Sequence, residues 1–536
     1  MTHWQAFDVP AMRHEALYGD RIVRCFAERP RNLWAMFEAA RASHASDDAM
    51  VCNGRRWSYG ELGDAAQALS AELAEKGVAS GERVLMWMGN RPEFVIMLLA
   101  LQRLGAIAVP VGVREQRPGM SFIATQCGAC AIVYDDELAD RLPLPEDVPA
   151  LRLPLPASEV AAALARPKPQ GKLPPAATPR ETQTAVILYT SGTTGKPKGA
   201  MLTHIGLAHS ALHYQACMQL RPGDRSALAV PASHVTGLVA IIVAMWQAGG
   251  AVIVVPEFKA DAFVDLMQKE RVSHTLMVPA MYQLCLRSER LAGADLSAWR
   301  IGGYGGAPMP VATIDALAER VPGLVLINAY GATETTSPAT MMPAGQTRSH
   351  ADSVGVALPA ADIRVMDDEG REVPPGQKGE LWIGGPMVVP GYWANPEATA
   401  ASFTAGYWHS GDLGSVDADG FVRIFDRIKD MLNRGGYKIY SVEVENVLMG
   451  CPGVVEAAVI GRPCPVLGER VHAVLYAPEL LQGDLPAAQA AVRERCAAAL
   501  ADYKVPETFE WRSEPLPRNA NGKLMKRLLR QPTPAA

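Results

Sequence analysis

The sequence contains little cysteine and no excess of charge of either sign. Nine cysteines in 536 residues are too few for a disulfide scaffold, and their number is odd. The close pair Cys127 and Cys130 lacks a second pair or a nearby set of histidines that would complete a zinc site, so we interpret both as small buried residues. With 51 basic and 56 acidic residues the net charge is −5, which argues against a general role in binding nucleic acid.

Signals for export or membrane insertion are also missing. The first residues carry Asp8, Arg13 and Glu15 and have no apolar core, unlike a signal peptide, and the last residues show no lipidation or peroxisomal signal. Ser226–Pro256 contains no Asp, Glu, Lys or Arg, but its apolar core, Leu238–Trp246, is too short to span about 30 Å of hydrocarbon. We therefore expect a cytoplasmic protein without integral membrane segments.

From Arg83 onward the sequence alternates between short apolar runs and longer amphipathic ones. Val84–Met88, Glu93–Leu104 and Ala106–Val111 predict a strand, a helix and a strand, and similar runs follow along the chain. Strands that alternate with helices are typical of parallel βαβ units. Residues 141–180, rich in proline and alanine, interrupt the pattern and are interpreted as a solvated connection with one short helix.

The pattern changes after Ser353. Ala361–Val373 and Gly414–Phe425 each contain two short extended runs around an acidic turn with glycine, which predicts antiparallel hairpins. Towards the C-terminus, helical and extended runs mix. The predicted fold is therefore α/β: a large N-terminal domain, residues 1–428, of βαβ-type subdomains plus a small β unit, followed by a small mobile α+β domain, residues 429–536.

The strongest local signal is the segment Tyr189–Gly199, with the sequence YTSGTTGKPKG. It follows the apolar run Ala185–Leu188 and precedes a helical pattern, which is the context of a loop that cradles phosphates. Glycines allow backbone N–H groups to approach an oligophosphate, hydroxyls add donors, and Lys196 and Lys198 add positive charge. The segment differs from a P-loop because Pro197 follows Lys196, where Ser or Thr would bind magnesium.

Further segments suggest a nucleotide site, although each one alone also fits a solvated turn. Asn328–Thr335 follows an apolar run, and open α/β sheets bind ligands in loops at the carboxyl ends of their strands. Glu334, beside hydroxyls in this segment, suits Mg²⁺, and Gly302–Pro308 offers flat backbone to a planar base. Asp412, in an aromatic and glycine setting, suits a ribose diol, whereas Lys523 by itself is typical of solvated surface.

In this order and spacing, the segments resemble those of the adenylate-forming superfamily, which contains acyl-CoA synthetases, plant coumarate–CoA ligases, peptide-synthetase adenylation domains and firefly luciferase. The resemblance extends from about Asn32 to Arg530. The matching segments are Tyr189–Gly199, Tyr330–Glu334, Ser410–Asp412, Asp426–Asp430 and Gly522–Lys523. Members of this superfamily join a carboxylic acid to AMP, release pyrophosphate and pass the acyl group to a thiol, which the resemblance implies for this chain.

The resemblance also implies roles for individual residues. The residues expected to bind ATP are Thr190, Ser191, Gly192, Thr193, Thr194, Gly195, Lys198, Gly305, Gly306, Ala307, Asn328, Ala329, Tyr330, Gly331, Thr333, Asp412 and Arg427. Among them, Asp412 and Arg427 are expected to hold the ribose. Glu334 is expected to hold Mg²⁺, and Lys523 to neutralise the charge that concentrates between the carboxylate and the α-phosphate in the transition state.

The second half-reaction is expected to involve other residues. By resemblance, Gly435 and Gly436 form the channel for the pantetheine arm of CoA, and Lys429 is the hinge about which the small domain reorients between the two half-reactions. Asn433 stands where some relatives have a lysine, so an auxiliary role of that lysine in adenylation is not expected here.

The identity of the acid is less well defined. Amino-acid-activating relatives usually have an aspartate at the position of Val235, so the ammonium of a zwitterion would be poorly paired here. His234 (also a candidate catalytic residue), Val235 and Tyr330 are expected to line a pocket for a medium- or long-chain fatty or an aromatic carboxylate, with free CoA as acceptor. The alternatives are an acyl-AMP ligase that loads a carrier protein and a non-catalytic nucleotide-binding protein. We expect a monomer or a homodimer.

Overall fold

The computed structural model describes residues 3–4, 9–151, 153–164, 175–190, 197–518 and 524–530. The chain divides into two compact units. The first unit consists of Met1–Ile363, Trp382–His409 and Ala418–Val422, and the second of Arg364–Leu381, Ser410–Asp417 and Arg423–Ala536. The predicted partition into domains of residues 1–428 and 429–536, with Lys429 as the hinge, remains a prediction.

Strands alternate with helices over most of the chain, as the sequence predicts. In chain order the first strands are β1 (Met12–Leu17), β2 (Arg21–Phe26), β3 (Asp48–Cys52), β4 (Arg55–Ser58), β5 (Arg83–Trp87), β6 (Ile107–Pro110), β7 (Ala131–Tyr134), β8 (Leu153–Pro156), β9 (Thr184–Thr190), β10 (Lys198–Thr203), β11 (Arg225–Leu228), β12 (Ala251–Val254), β13 (His274–Met277) and β14 (Ile301–Tyr304). The remaining strands are β15 (Val325–Ala332), β16 (Ser337–Met341), β17 (Val356–Ala357), β18 (Asp362–Met366), β19 (Gly379–Gly384), β20 (Phe403–Thr404), β21 (Tyr407–Val416), β22 (Val422–Arg427), β23 (Leu432–Arg434), β24 (Tyr437–Ile439), β25 (Glu456–Cys464), β26 (Gly468–Tyr476) and β27 (Thr508–Arg512).

Most helices begin at capping or proline signals in the sequence. The α-helices are α1 (Leu33–His44), α2 (Tyr59–Glu75), α3 (Pro92–Leu104), α4 (Arg117–Cys127), α5 (Ala157–Leu164), α6 (His204–Cys217), α7 (Ala244–Ala248), α8 (Ala260–Lys269), α9 (Pro279–Arg287), α10 (Val311–Arg320), α11 (Pro396–Ser402), α12 (Ser441–Met449), α13 (Leu485–Ala499) and α14 (Lys526–Leu529). At the start of α2, for example, Ser58 and Glu61 form a reciprocal capping box, which satisfies two backbone donors that a helix start leaves free.

The first unit contains a six-stranded sheet with the strand order β10-β9-β6-β5-β7-β8. Strands β5 to β9 of this sheet pair in parallel, while β9 and β10 form an antiparallel pair in which Thr190 lies opposite Lys198. Ala185–Leu188 of β9 are buried, as expected for a strand covered on both faces. The two ends of the predicted phosphate loop are therefore held next to each other by the sheet.

A nine-stranded sheet forms the rest of the core of the first unit, with the order β17-β16-β15-β14-β13-β11-β12-β3-β4. Strand β15 pairs in two ways: Val325–Asn328 pairs in parallel with β14, and Ala329–Ala332 pairs antiparallel with β16. Ala329–Gly331 therefore lie in a strand and not in the loop that the sequence suggested, and Asn328 belongs to the parallel pairing that precedes them. The physical reason is the return of the chain along β16, which provides hydrogen-bond partners beyond the end of the parallel pairing.

The charge-poor stretch Ser226–Pro256 is a buried part of the first unit. It contains β11, a π-helix at Thr236–Val243 that continues directly into α7, and β12. Trp246 in α7 is fully buried against α1, where its ring contacts Phe37 edge to face. Within the part of the chain that the structure describes, no helix is both long enough and apolar enough to cross a membrane.

The second unit has the mixed α+β character that the sequence predicts. β23 to β27 form a sheet in which β25 and β26 are the long antiparallel pair and β27 joins β26 in parallel. Its core contains Leu432, Val444 and Val471, so the sheet and α12 share one apolar layer. The two predicted hairpins are confirmed: Met366 bridges Glu372, and β22 pairs with β21.

The predicted α/β class is confirmed, and one detail of the connection at residues 141–180 is corrected. The short helix is present as α5. The sequence analysis missed β8, which extends the six-stranded sheet by pairing with β7. Two of the four residues of β8, Pro154 and Pro156, are prolines, which are tolerated because this strand lies at the sheet edge.

Candidate active site

Glu334 lies in the turn between β15 and β16, and the backbone of this turn is strained. A single 3₁₀ turn, Thr333–Thr335, is followed by Thr336 with φ of 50° and Ser337 with φ of 96°. Thr336 is held there by its hydroxyl, which donates to the carbonyl oxygen of Met387 at 2.6 Å. Non-glycine residues in this conformation persist only where their surroundings impose it, and they concentrate at functional sites.

The carboxylate of Glu334 is buried and receives two hydroxyl donors on the same oxygen. Thr190 Oγ1 donates to Glu334 Oε1 at 3.3 Å, and Tyr392 Oη donates to the same atom at 2.9 Å. Burial and the nearby Glu334 anion raise the pKa of Tyr392 above its ordinary value, so the phenol remains a donor. Among the described residues no donor contacts Oε2 and no cation forms an ion pair with this carboxylate.

This donor set fits Mg²⁺. Carboxylate and hydroxyl oxygens are hard ligands, and Mg²⁺ is usually held by one or two carboxylates plus substrate phosphates. Across the described ranges, no group of three or more His, Cys, Asp or Glu side chains forms a metal cage. Glu334 is thus the residue that could hold the ion beside phosphates, as the resemblance implies.

The ends of the predicted phosphate loop meet at Glu334. Thr190, the last residue of β9, contacts the carboxylate directly, and Lys198, the first residue of β10, lies with Nζ 5.1 Å from the ring centroid of Tyr392. Five of the residues expected to bind phosphates lie outside the described residues, namely Ser191, Gly192, Thr193, Thr194 and Gly195. A carboxylate, two hydroxyls and a lysine therefore converge at the base of this loop.

The residues expected to border the adenine are brought together by the β14–β15 pairing. Gly305 follows β14, and a Cβ atom at this position would lie 2.4 Å from the carbonyl oxygen of Ala329, so only glycine fits. Gly306 and Ala307 continue from it at the surface. Asn328 is buried, and its amide donates to the carbonyl oxygen of Ser353 at 3.4 Å. The close approach of the two strands explains the glycine at 305, whereas the glycine at 306 is explained by its φ of 78°.

The candidate acyl-pocket residues come from two elements. His234 and Val235 precede the π-helix Thr236–Val243, and Tyr330 lies in β15 with its ring packed against the cluster that includes Ile383. The backbone N–H of Thr236 donates to Nδ1 of His234 at 3.3 Å, so a neutral imidazole carries its proton on Nε2. The π-helix neighbours β16. The assignment of these residues to one pocket remains a prediction.

In the second unit, the β21–β22 pairing places Asp412 beside Arg427. Nε of Arg427 lies 3.2 Å from Oδ1 of the buried Asp412 carboxylate, and the backbone N–H of Ile428 donates to the carbonyl oxygen of Gly411 at 2.9 Å. The sequence thus identified as a pair two residues that are neighbours in the structure. An ionised carboxylate held in this way can accept hydrogen bonds from a diol, as expected for a ribose site.

Lys523 lies outside the described residues, but the chain on either side of it is fixed. Arg518 forms a β-bridge with Leu524, and the backbone N–H of Met525 donates to the carbonyl oxygen of Pro517 at 2.8 Å. Lys526 then forms an ion pair of 2.6 Å with Glu445.

The expected hinge and CoA residues lie in turns of the second unit. Lys429 follows β22, and Gly435 and Gly436 form the turn between β23 and β24 with φ of 60° and 91°. These left-handed conformations explain both glycines, because side chains are disfavoured there. Asn433 caps the turn by accepting from the backbone N–H of Gly436 at 3.1 Å. The roles in binding CoA and in domain movement remain predictions.

Sequence reasoning missed Tyr392 at this site. Its contact with Glu334 joins residues 58 positions apart, which no local motif reveals. The available signal was the glycine-flanked aromatic segment Gly391–Trp393, which resembles neither a core strand nor an amphipathic helix.

Two protein-family models match the chain, one in its N-terminal part and one in its C-terminal part. The model described as AMP-binding enzyme matches residues 37–393, and the model of the AMP-binding enzyme C-terminal domain matches residues 443–523.

Similar curated proteins cover nearly the whole chain. Feruloyl-CoA synthase of Amycolatopsis sp is 34% identical over 493 residues, which are 92% of this chain and 97% of that protein. Long-chain-fatty-acid–CoA ligase FadD13 of Mycobacterium tuberculosis is 32% identical, covering 89% of this chain and 93% of that protein. Fatty acid–[acyl-carrier-protein] ligase ScoC of Streptomyces coeruleorubidus is 33% identical, covering 90% and 92%.

Solved structures give the same result. The anthranilate CoA ligase AuaEII, crystallised with anthranoyl-AMP, superimposes with a TM-score of 0.85 at 26% identity, covering 93% of this chain and 96% of that chain. The o-succinylbenzoate CoA synthetase MenE from Bacillus subtilis, solved with ATP and a magnesium ion, has a TM-score of 0.81 at 25% identity, covering 94% of this chain and 100% of that chain.

Proposed function

The chain belongs to the AMP-binding enzyme family and is an AMP-forming carboxylic acid–CoA ligase, and we propose that its acid is a medium- or long-chain fatty or an aromatic carboxylate. In the first half-reaction a carboxylate oxygen of the acid attacks the α-phosphorus of ATP, and the bond to the β-phosphate breaks with release of pyrophosphate. In the second, the thiol sulfur of CoA bonds to the acyl carbon and AMP leaves, with loss of the thiol proton to solvent.

The observation that carries this function is the convergence of Thr190, Lys198 and Glu334 at the base of the glycine-rich loop. The lysine ammonium attracts phosphate oxygens, and the threonine hydroxyl orients the glutamate carboxylate. When bound to Glu334 and phosphates, Mg²⁺ would offset the negative charge that gathers on the triphosphate. Asp412 would accept hydrogen bonds from the ribose hydroxyls, with Arg427 beside it to hold the carboxylate in place.

Lys523 is proposed as the residue that stabilises the transition state of adenylation. Its ammonium would neutralise charge between the attacking carboxylate and the α-phosphate. We expect Lys523→Ala to slow single-turnover pyrophosphate release by about 10²–10³-fold, the loss typical of one preorganised charge, while ATP affinity changes little. Release at the wild-type rate would exclude this role for Lys523. The nearby Arg527→Ala, on the exposed side of the short helix α14, is the matched control.

The proposed class of acid rests on the pocket and on the relatives. Val235 is buried and apolar where a zwitterion would need an anionic partner. Relatives that match nearly all of the chain are named for an aromatic acid, ferulate, and for long-chain fatty acids. Both kinds of acid combine one carboxylate with a large apolar body, which suits an apolar pocket.

A second candidate acceptor is a carrier protein, because the relative ScoC is named as an acyl-carrier-protein ligase. This candidate shares the adenylation step and differs only in the thiol that receives the acyl group. A phosphopantetheine arm has the same reacting end in free CoA and on a carrier.

The experiment is pyrophosphate release with a panel of acids, followed by thioester formation with CoA or with a phosphopantetheinylated carrier protein. The panel contains acetate, octanoate, palmitate, ferulate, benzoate and phenylalanine. We expect turnover with fatty or aromatic acids and thioester formation with CoA. Preference for acetate or phenylalanine would contradict the acid class, and thioester formation with the carrier alone would establish the second candidate. Glu334→Gln in the same assay separates this site from contaminating activity.

A further inference from the structure

Tyr392 lies in a short segment that is bound along the strand leaving the phosphate loop. Tyr392 forms an antiparallel β-bridge with Ala200 of β10, and the backbone N–H of Met201 donates to the carbonyl oxygen of Gly391 at 3.2 Å. On the other side, the backbone N–H of Trp393 donates to the carbonyl oxygen of Gly199 at 2.7 Å. The segment Gly391–Trp393 therefore follows any shift of β10.

The side chain of Tyr392 has little freedom of its own. It is 6% exposed, its ring meets Phe403 edge to face at 5.7 Å, and its backbone N–H donates to Oγ1 of Thr399 at 3.0 Å. Because of this packing, the phenol oxygen cannot move independently of the backbone of Tyr392. The ring therefore forms a rigid connection between the backbone and the phenol oxygen.

This rigid link connects two charged groups of the proposed phosphate site. The phenol oxygen donates to Oε1 of Glu334 at 2.9 Å, and the ammonium of Lys198 lies over the same ring at 5.1 Å from its centroid. Thr190 donates to the same carboxylate oxygen. With two donors on Oε1, the plane of the carboxylate is fixed and Oε2 has a defined direction. A cation over an aromatic face is attracted by the ring, which favours one position of the lysine.

We propose that Tyr392 is a positioning residue that orients the Glu334 carboxylate for a divalent cation and holds the Lys198 ammonium at the base of the phosphate loop. The proposal rests on the proposed function of Glu334, but it adds a residue that acts through Glu334 and Lys198 and touches no reacting atom. A purely structural role of Tyr392 would affect stability and leave the binding of the cation unchanged.

The test uses Mn²⁺ as a spectroscopic substitute for Mg²⁺ with α,β-methylene-ATP, which cannot release pyrophosphate. Electron paramagnetic resonance measures free Mn²⁺ in the absence of turnover. Tyr392→Phe keeps the ring and removes only the donor to Glu334, so we expect the dissociation constant of Mn²⁺ to rise about tenfold, as for the loss of one hydrogen bond to a charged group. Affinity for the nucleotide without metal should change less than twofold, because the cation–π contact remains.

Two further variants complete the design. Tyr392→Leu removes the ring as well, and we expect an additional two- to fivefold weakening of nucleotide binding without metal, since Lys198 loses its support. Tyr59→Phe is the matched control: its buried hydroxyl donates to the carbonyl oxygen of Gly250 at 2.7 Å, far from the site in the chain. It should lower the melting temperature and leave Mn²⁺ binding unchanged.

The outcomes separate this inference from the function on which it rests. If Glu334→Gln abolishes Mn²⁺ binding while Tyr392→Phe binds Mn²⁺ as the wild type does, Tyr392 has no positioning role and the inference is overturned. If Glu334→Gln also binds Mn²⁺ normally, the role proposed for Glu334 is wrong and the inference falls with it. Weaker Mn²⁺ binding by Tyr392→Phe, with Tyr59→Phe unchanged, supports the inference.

Discussion

Each of the two units contains a glutamate with little solvent exposure, Glu334 in the first and Glu445 in the second, and the partners of these two glutamates differ. In the second unit, Glu445 forms a 2.6 Å ion pair with Lys526 and accepts from the backbone N–H of Val459 at 2.7 Å. In the first unit, Glu334 accepts only from neutral hydroxyls, both on Oε1, and within the described residues it has no cationic partner.

The difference separates a structural carboxylate from a binding one. Around Glu445 a cationic partner is already present: Lys526 also donates to Ser441 at 2.6 Å, and Ser441 donates to the buried Asp426 at 3.0 Å. This network connects α14 to α12, and its cation is supplied by the protein itself. A buried carboxylate without a cation is costly unless something else supplies the charge. We therefore expect Glu334 to bind a cation and Glu445 to stabilise the fold.

The comparison predicts its largest effect on catalysis at Glu334. Glu334→Gln keeps the shape and both hydroxyl contacts but removes the charge, so we expect single-turnover pyrophosphate release to fall by about 10²–10³-fold. The free energy of unfolding should not decrease, because no ion pair is lost. Stopped-flow pyrophosphate detection and urea unfolding measure the two effects.

Glu270→Gln is the matched control for this variant. Glu270 is a buried carboxylate of the same unit, but it pairs with Arg56 and Arg225 at 2.7 Å each. The Glu270→Gln variant should have a lower free energy of unfolding than the wild type and the same rate of pyrophosphate release. A loss of stability without a loss of rate at Glu334 would mean that Glu334, too, is structural.

At Lys526 the comparison predicts the opposite pattern. Lys526→Met leaves Glu445, whose side chain is only 16% exposed, without its partner, and breaking such a pair typically costs about 3 kcal/mol in the free energy of unfolding. Lys504→Met is the matched control, because its partner Glu443 on the same helix is 41% exposed, and we expect a loss below about 1 kcal/mol. Urea unfolding of each variant, compared with that of the wild type, measures both losses. Equal losses for the two variants would contradict the structural role of Lys526.

The sequence predicted the elements well where their signal is local. The helix predicted at Val311–Arg320 has these bounds in the structure, and α12 begins one residue before the predicted Val442–Met449. Glu334 and Asp412 were identified because glycines and hydroxyls surround them in the sequence itself. Their roles in binding nucleotide and metal came from the resemblance and remain predictions for this chain.

What could not be predicted depends on contacts between distant parts of the chain. The strand character of Ala329–Gly331 depends on β16, which returns beside these residues after Thr336 and Ser337 adopt left-handed conformations. Tyr392 and Lys526 each look like ordinary residues in the sequence. Neither belongs to a periodic hydrophobic pattern or to a recognisable motif, because Tyr392 only precedes a tryptophan and Lys526 only lies near the end of the chain. Their partners become apparent only when the sheet and helix pairings are known.

The smallest effect that the comparison predicts is a pH dependence at Glu445. Burial raises the pKa of Glu445 above its ordinary value in the folded protein, although Lys526 opposes the shift. Because the folded state then binds a proton more readily than the unfolded state, this group favours folding most below its unfolded pKa of about 4.5. Its contribution is lost as the pH rises through the folded pKa, with a slope of at most about 1.4 kcal/mol per pH unit.

Glu445→Gln removes this titration. We expect the difference in unfolding free energy, wild type minus Glu445→Gln, to become more positive as the pH is lowered from 7 towards 4, measured by urea unfolding at each pH. Glu443→Gln, two residues along α12, controls for the loss of a carboxylate that is partly exposed. A difference that becomes more negative over the same range would mean that the ion pair with Lys526 outweighs burial. Glu445 would then be a net stabilising anion, unlike Glu334, whose carboxylate accepts only from neutral hydroxyls among the described residues.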